Sequence, residues 1–229
     1  MQTRWRKHGE IQHHFILFDF DGTLADSSNC SVVATQQAFE QFALPKPTAQ
    51  EIIHFMGLPI EISFRKMGAA PFTEQQFAML LDAFRQHYRE LSDTLISAFP
   101  FALECVKQLK EADKTTAIIT SKKTDVARLN AQTLGLLPYI DVVIGSDLVK
   151  EYKPHPEGIF TALHALGVTA AQLSNAIMIG DAVSDIKMGQ AANIDTCAVT
   201  WGAHSEQALK QASPNYLVHH FEQLTQLCL

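Results

Sequence analysis

Two carboxylates two residues apart, Asp19 and Asp21, close the apolar run Phe15-Ile16-Leu17-Phe18, and Gly22 follows directly. Side chains two apart on a strand point the same way. A strand continuing through Asp21 would set both carboxylates on one side of its carboxyl end, where open α/β sheets place their ligand sites. Gly22 would then let the chain turn sharply away. Two anions this close repel, and one tends to stay protonated unless a cation compensates them. Oxygen-only ligation favours Mg²⁺ over zinc. A carboxylate held by Mg²⁺ beside a phosphate can attack phosphorus and form an aspartyl-phosphate. The bland alternative is a strand that ends in a solvated Asp-Phe-Asp-Gly turn.

Three later stretches carry related chemistry. Thr120 and Ser121 follow the strand pattern Thr115–Ile119, and their hydroxyls or the N–H groups of the turn could donate to a phosphoryl oxygen. Ser and Thr also cap helices everywhere, so only their place after a buried strand gives them weight. Lys153 lies in Glu151-Tyr152-Lys153-Pro154-His155-Pro156, where the stiff Pro154 could hold its charge toward a transferring phosphoryl group. A solvated loop lysine is the ordinary reading, and the nearby Lys150 receives no role. Ala176 to Ile179 is a second buried strand that runs into Gly180-Asp181, with Asp185 four residues on. Acids are favoured at helix amino termini anyway. That accounts for one aspartate, not for two acidic clusters that each follow a buried strand.

The elements that must position these residues alternate. From Pro100 onward, helices are expected at Ala102–Glu111, Thr124–Leu134, Pro156–Leu166 and Ser184–Ala192, with strands at Thr115–Thr120, Val142–Ile144, Ala176–Ile179 and Thr196–Val199. A helix near Ser205–Gln211, a strand at Tyr216–Val218 and a last helix follow. Such alternation implies a parallel sheet covered on both faces. Residues 28–97 break the rhythm. Ser31–Phe42 reads as an amphipathic helix, and Thr48-Ala49-Gln50-Glu51 and Thr73-Glu74-Gln75-Gln76 are capping boxes that open two more. No convincing strand is expected there.

The chain has 229 residues and a net charge of −6, which argues against a broad nucleic-acid-binding face. Apolar content of 47% against 18% charged residues suits a soluble globular protein with a substantial core. No apolar run is long enough to span a bilayer, and Met1–His14 is basic and polar, unlike a secretory signal. Cys30, Cys105, Cys197 and Cys228 are scattered and form no C-x-x-C pair, so buried free thiols and a cytoplasmic location are expected.

Asp19-Phe20-Asp21-Gly22-Thr23-Leu24-Ala25-Asp26-Ser27 resembles the first motif, DxDGT(L/V), of the haloacid dehalogenase superfamily of phosphohydrolases. Thr120-Ser121, Lys153 in K-P-x-P and Gly180-Asp181-Ala182-Val183-Ser184-Asp185 resemble its second, third and fourth motifs, in order. The resemblance covers nearly the whole chain. It implies an α/β fold, a Rossmann-like parallel sheet core from residues 1–27 and 98–229 with helices on both faces. Residues 28–97 would be an inserted all-helical cap.

The same resemblance implies that Asp19 is the nucleophile and Asp21 the general acid–base. Thr120, Ser121 and Lys153 would hold the phosphoryl oxygens. Asp19, Asp181, Asp185 and the carbonyl of Asp21 would surround Mg²⁺, with Asp185 binding directly or through a water. Substrate choice would sit in the cap, where the turn Met56-Gly57-Leu58-Pro59, Arg65 and Lys66 are candidates to meet an anionic leaving group. The implied activity is hydrolysis of a small phosphorylated metabolite, in the manner of the phosphoglycolate phosphatase group, which also contains pyrophosphatases. A sugar-phosphate mutase of the β-phosphoglucomutase kind keeps both aspartates and is an alternative. So is a catalytically silent phosphate-binding protein, against which the intact set of acids and Lys153 argue. No nucleic-acid or membrane partner is expected, and the chain would be a monomer or homodimer.

Overall fold

The computed structural model describes residues 13–229. The polar stretch before His13, expected not to be a secretory signal, lies outside the described residues.

In chain order the elements are β1 (Phe15–Phe18), β2 (Ala25–Asp26), α1 (Ser28–Gln41), α2 (Ala49–Phe55), α3 (Ile60–Phe64), α4 (Glu74–Leu95), β3 (Ser97–Ala98), α5 (Ala102–Glu111), β4 (Thr115–Ile119), α6 (Thr124–Thr133), β5 (Val142–Ile144), α7 (Glu157–Ala165), β6 (Ala176–Gly180), α8 (Val183–Ala191), β7 (Asp195–Val199), α9 (Glu206–Gln211), β8 (Tyr216–Val218) and α10 (Phe221–Cys228). Six strands form one sheet in the order β5-β4-β1-β6-β7-β8, every neighbour pair parallel. This is the Rossmann-like architecture expected from the alternation. β1 sits inside the sheet, with Phe18 level with Ile118 of β4 and Ile179 of β6. The carboxyl ends of three adjacent strands therefore open at the same level.

The central strands are apolar throughout because both faces of the sheet are covered. Ile16, Phe18, Ile118, Ile177 and Ile179 pack with Val106 and Leu109 of α5 and Phe221 and Leu224 of α10. The alternate residues Phe15, Leu17, Ala117 and Met178 pack with Ile159 and Leu163 of α7 and Met188 of α8. All four cysteines are buried free thiols, as expected. No helix among the described residues is long and apolar enough to cross a membrane.

β1 stops at Phe18 instead of continuing through Asp21; the chain turns at once, with Leu24 N–H and Ala25 N–H both donating to the Phe20 carbonyl. Between Ser28 and Leu95 the residues are helical, apart from loops and one wide turn at Arg65–Ala69. The sequence reading missed the short ladder at the edges of this segment. Ala25–Asp26 pairs antiparallel with Ser97–Ala98, so the chain leaves and re-enters the core side by side. Two-residue strands carry too little periodicity to be read from sequence.

The helical segment closes on its own aromatic cluster. Along α4, Phe77, Leu80, Leu81, Phe84 and Tyr88 recur at helical spacing and are buried. Phe64 of α3 lies edge-on to both Phe39 of α1 and Phe84 of α4, at 5.1 Å in each case. The cluster runs without a break into Phe20 and Leu24 below β1. Phe39→Ala should cost about 3–5 kcal/mol, since a fully buried ring leaves a cavity between three helices. Urea unfolding checks it, and a loss below 1 kcal/mol would show that the helices collapse into the gap.

Candidate active site

Asp19 follows β1 directly, and Asp181 follows β6, the strand beside it. Asp185 stands one turn into α8. Each offers a carboxylate oxygen, and the three oxygens lie within 4.8 Å of one another. All three residues are buried, Asp185 completely. Lys153 reaches in from the loop before α7. Its Nζ stands 2.9 Å from Asp19 Oδ1 and 2.7 Å from Asp185 Oδ1, and it too is buried. Asp181 Oδ1 accepts from the Thr23 hydroxyl at 2.9 Å, and its Oδ2 from the Ala203 N–H at 2.7 Å. Asp185 Oδ2 accepts from the Ala182 N–H.

Burial pushes the Asp19 carboxyl well above its ordinary range; Lys153 opposes this, and Asp185 and Asp181 reinforce it. Asp181 is pushed up to about 6, by burial first and by Asp185 next, against the N–H of Ala203 and the hydroxyl of Thr23. For Lys153, burial acts to lower the ammonium pKa, but Asp185 and Asp19 together outweigh it and hold it above the lysine range. Three carboxylates against one ammonium leave the cluster short of positive charge. Oxygen donors alone, close together and under-compensated, make a donor set that fits a hard divalent cation such as Mg²⁺.

Glycine makes the clustering sterically feasible. Gly22 has φ +82°, and a Cβ there would lie 2.3 Å from Asp181 Oδ2. A Cβ at Gly202 would lie 2.2 Å from the same oxygen. The turns after β1 and β7 thus press bare backbone against the Asp181 carboxylate.

Asp21 has a different environment from Asp19. Its Oδ1 accepts from Lys122 Nζ at 2.7 Å and from the Ser27 hydroxyl. Lys122 Nζ also donates to the Tyr88 hydroxyl at 2.7 Å and to Asn130 Oδ1 at 3.1 Å. Asp21 is therefore tied through Lys122 to α4 of the helical segment. Asp19, Asp21, Thr120 and Ser121 all line one cavity of about 350 Å³ between the strand ends and helices α1 to α4. Asp21 lies outside the acidic triad, so any share it has in holding a metal would fall to its main-chain carbonyl, as the resemblance implied.

Thr120 is buried, and its Oγ1 accepts from the Lys122 N–H at 3.2 Å, which leaves its own O–H available for an anion. Ser121 lines the cavity, but its hydroxyl donates to the Gly57 carbonyl at 2.7 Å and so joins the strand end to the loop before α3. Arg65, expected to contact a leaving group, is not brought to the cavity. Its guanidinium donates to the carbonyls of Ala69, Ala70 and Phe72, pairs with Glu74 at 2.8 Å and stacks 3.8 Å over the Phe77 ring. It caps the wide turn, where Gly68 departs from helical geometry. Lys66 likewise does not line the cavity, whereas Met56, Gly57 and Leu58 do.

Sequence reasoning missed Lys122, Tyr88, Ser27, Thr23 and the Gly202-Ala203 turn. Lys122 adjoins Thr120-Ser121, and Thr23 adjoins Gly22, so both were within reach. The Gly202 turn follows β7 at the carboxyl edge of the sheet, which is itself a signal. Tyr88 reads only as an apolar position of its helix.

Residues 16–199 match the model of the haloacid dehalogenase-like hydrolase family. A protein named probable phosphatase IndB, from Dickeya dadantii, is 32% identical over 211 residues, covering 91% of this chain and 90% of that one. Pyrophosphatase PpaX of Oceanobacillus iheyensis is 28% identical over 209 residues, covering 91% and 94%. Among solved structures, that of a predicted phosphoglycolate phosphatase from Haemophilus somnus superposes with a TM-score of 0.87 at 20% identity, covering 96% and 100%. That likeness bears on the fold alone. The chain belongs to the haloacid dehalogenase-like hydrolase family, and it is a phosphatase of that family.

The glycine packing gives a test. Gly167 also has positive φ, +71°, but nothing lies within 4 Å of a Cβ placed there. Gly167→Ala should cost only the backbone penalty of about 1 kcal/mol. Gly22→Ala should cost at least about twice that and displace Asp181 as well. Urea midpoints of the two variants decide; equal losses would mean that Asp181 yields without resistance.

Proposed function

We propose that the protein is a Mg²⁺-dependent phosphatase that hydrolyses a small phosphomonoester through an aspartyl-phosphate on Asp19. The buried Asp19–Asp181–Asp185 cluster with Lys153, from which Asp19 faces the cavity beside helices α1 to α4, carries this reading. Bound Mg²⁺, held by Asp19, Asp181 and Asp185, would supply charge compensation for the phosphoryl oxygens and for the acids themselves.

Asp19 attacks phosphorus, and the bond from phosphorus to the leaving oxygen breaks. Asp21 delivers the proton that the leaving alcohol takes. A water then attacks phosphorus, Asp21 accepts its proton, and the bond to Asp19 breaks, which frees phosphate, restores the Asp19 carboxylate and returns Asp21 to the protonated form in which it began. Lys122 and Ser27 fix the orientation of Asp21 through both halves. Thr120 donates to a phosphoryl oxygen. Lys153 holds Asp19 in place and offsets negative charge as the bond forms. The helices from Ser28 to Leu95 act as the cap that excludes water from the first half, and the described residues outside it, 13–27 and 98–229, form the catalytic core. The substrate is a soluble phosphorylated metabolite and the setting cytoplasmic, consistent with four buried reduced cysteines. The relatives named pyrophosphatase make inorganic pyrophosphate the second substrate to assay.

Purified protein should release phosphate from simple phosphate esters with Mg²⁺ and not with chelator, and Asp19→Asn should lower the rate at least about a thousandfold. Activity that survives Asp19→Asn would overturn the nucleophile. Label transferred between sugar phosphates without net release would point to a mutase.

Metal binding should also appear without turnover. A ligand that binds only the folded state at a hundred times its Kd adds about 2.7 kcal/mol. For a chain of this size that raises Tm by roughly 5–10 °C at pH 7. In the metal-free protein Asp181 titrates near 6, above its unfolded value of 3.8. Its contribution to stability is therefore present below the unfolded value and lost as pH rises through about 6. Protons compete with the metal in the same window, so the Tm difference between Mg²⁺ and chelator should shrink from pH 7 to pH 5. A difference independent of pH would place the metal elsewhere.

A further inference from the structure

We infer, building on the phosphatase reading above, that the substrate's leaving group is an organic alcohol with a bulky apolar or aromatic body, larger than glycolate or phosphate. The cavity measures about 350 Å³, within the range of sites that enclose whole small-molecule ligands.

The walls give the chemistry. Asp19, Asp21 and Thr120 mark the phosphoryl end. Beyond them stand Ile52, Phe55, Met56, Leu58, Phe64 and Met67, from α2, the loop after it, α3 and the wide turn. Apolar surface of this kind gains from removing apolar ligand atoms from water and offers a second anion nothing.

The cations nearby are already engaged. Lys153 is held by Asp19 and Asp185, Lys122 by Asp21, and Arg85 by Glu61 and Asp82, both at 3.0 Å. Among the described residues that line the cavity, Arg89 and Lys123 are the cations without a salt bridge, and both are exposed at its rim. A carboxylate or second phosphate close to the scissile phosphoryl group would therefore meet apolar side chains and cations that carboxylates already hold. Hydroxyls on the leaving group would meet Ser31 and Thr35 of α1, which also line the space.

Four probes decide this. 2-Phenylethyl phosphate and ethyl phosphate have leaving alcohols of similar basicity, so the chemistry at phosphorus is matched; 2-phosphoglycolate and pyrophosphate represent small anionic leaving groups. With Mg²⁺, kcat/KM for 2-phenylethyl phosphate should exceed that for each of the others at least about tenfold, equivalent to about 1.4 kcal/mol. In Phe55→Ala and Leu58→Ala, kcat/KM for 2-phenylethyl phosphate should fall several-fold further than that for ethyl phosphate. Equal or better turnover of 2-phosphoglycolate or pyrophosphate would overturn the inference and leave the phosphatase reading standing. So would a preference that neither wall variant changes. No Mg²⁺-dependent phosphate release from any of the four would overturn both.

Discussion

Three carboxylates buried around one ammonium are the constraint on which the rest of the structure depends. Charges removed from water are tolerated only when paired and hydrogen-bonded. Lys153 reaches two of the three acids, and Thr23, Ala182 and Ala203 are among the other donors. Each of those partners sits on a different turn at the carboxyl edge of one sheet. The parallel pairing of β1 with β6 brings Asp19 and Asp181 to the same level, and bare backbone at Gly22 and Gly202 lets the turns close over Asp181. The fold accepts an under-compensated cluster that a well-packed apolar plug would relieve. Such a cost is characteristic of a site organised for binding charge.

Asp19 and Asp21 are two residues apart yet belong to different networks. Asp19 faces the buried cluster and Lys153. Asp21, partly open to the cavity, faces Lys122, whose ammonium also meets the Tyr88 hydroxyl on α4. Asp19 is thus held by the sheet edge and its turns alone, whereas Asp21 is held by these and by the helical segment together. Ser121 makes a second link of the same kind to Gly57. Movement of the helical segment would disturb Asp21 and leave Asp19 in place.

The residues legible in the sequence are those where local pattern and chemistry coincide. Uninterrupted apolar strands ending in Asp19 and Asp181 could be read because a strand buried on both faces has no polar break. The capping boxes at Thr48 and Thr73 set their helix starts correctly because the signal is contained within four residues. What escaped depends on distance along the chain. Lys122 meets Tyr88 across 34 residues, and Trp201 donates to the Thr23 carbonyl across 178. Arg65 was misjudged for the opposite reason. Its charge suggested an anion, but the carbonyls of Ala70 and Phe72 and the Glu74 carboxylate lie within reach of the guanidinium, and these local acceptors take it first.

The phosphoryl end of the site and its far wall are under different physical control. Strand ends, glycine turns and buried acids leave little freedom, since shifting any one exposes or unpairs a charge. The wall is made of the buried Ile52 and the half-buried Phe55, Leu58 and Met67 on short helices and turns, where exchanges of similar volume cost little. Chains with the same phosphoryl end can therefore differ in the alcohol they release, and agreement in the acidic cluster carries no information about that alcohol. Only the shape and polarity of the wall opposite do, and in this chain that wall is mainly apolar, with hydroxyls at Ser31 and Thr35 and with Arg85 and Lys122 held by carboxylates.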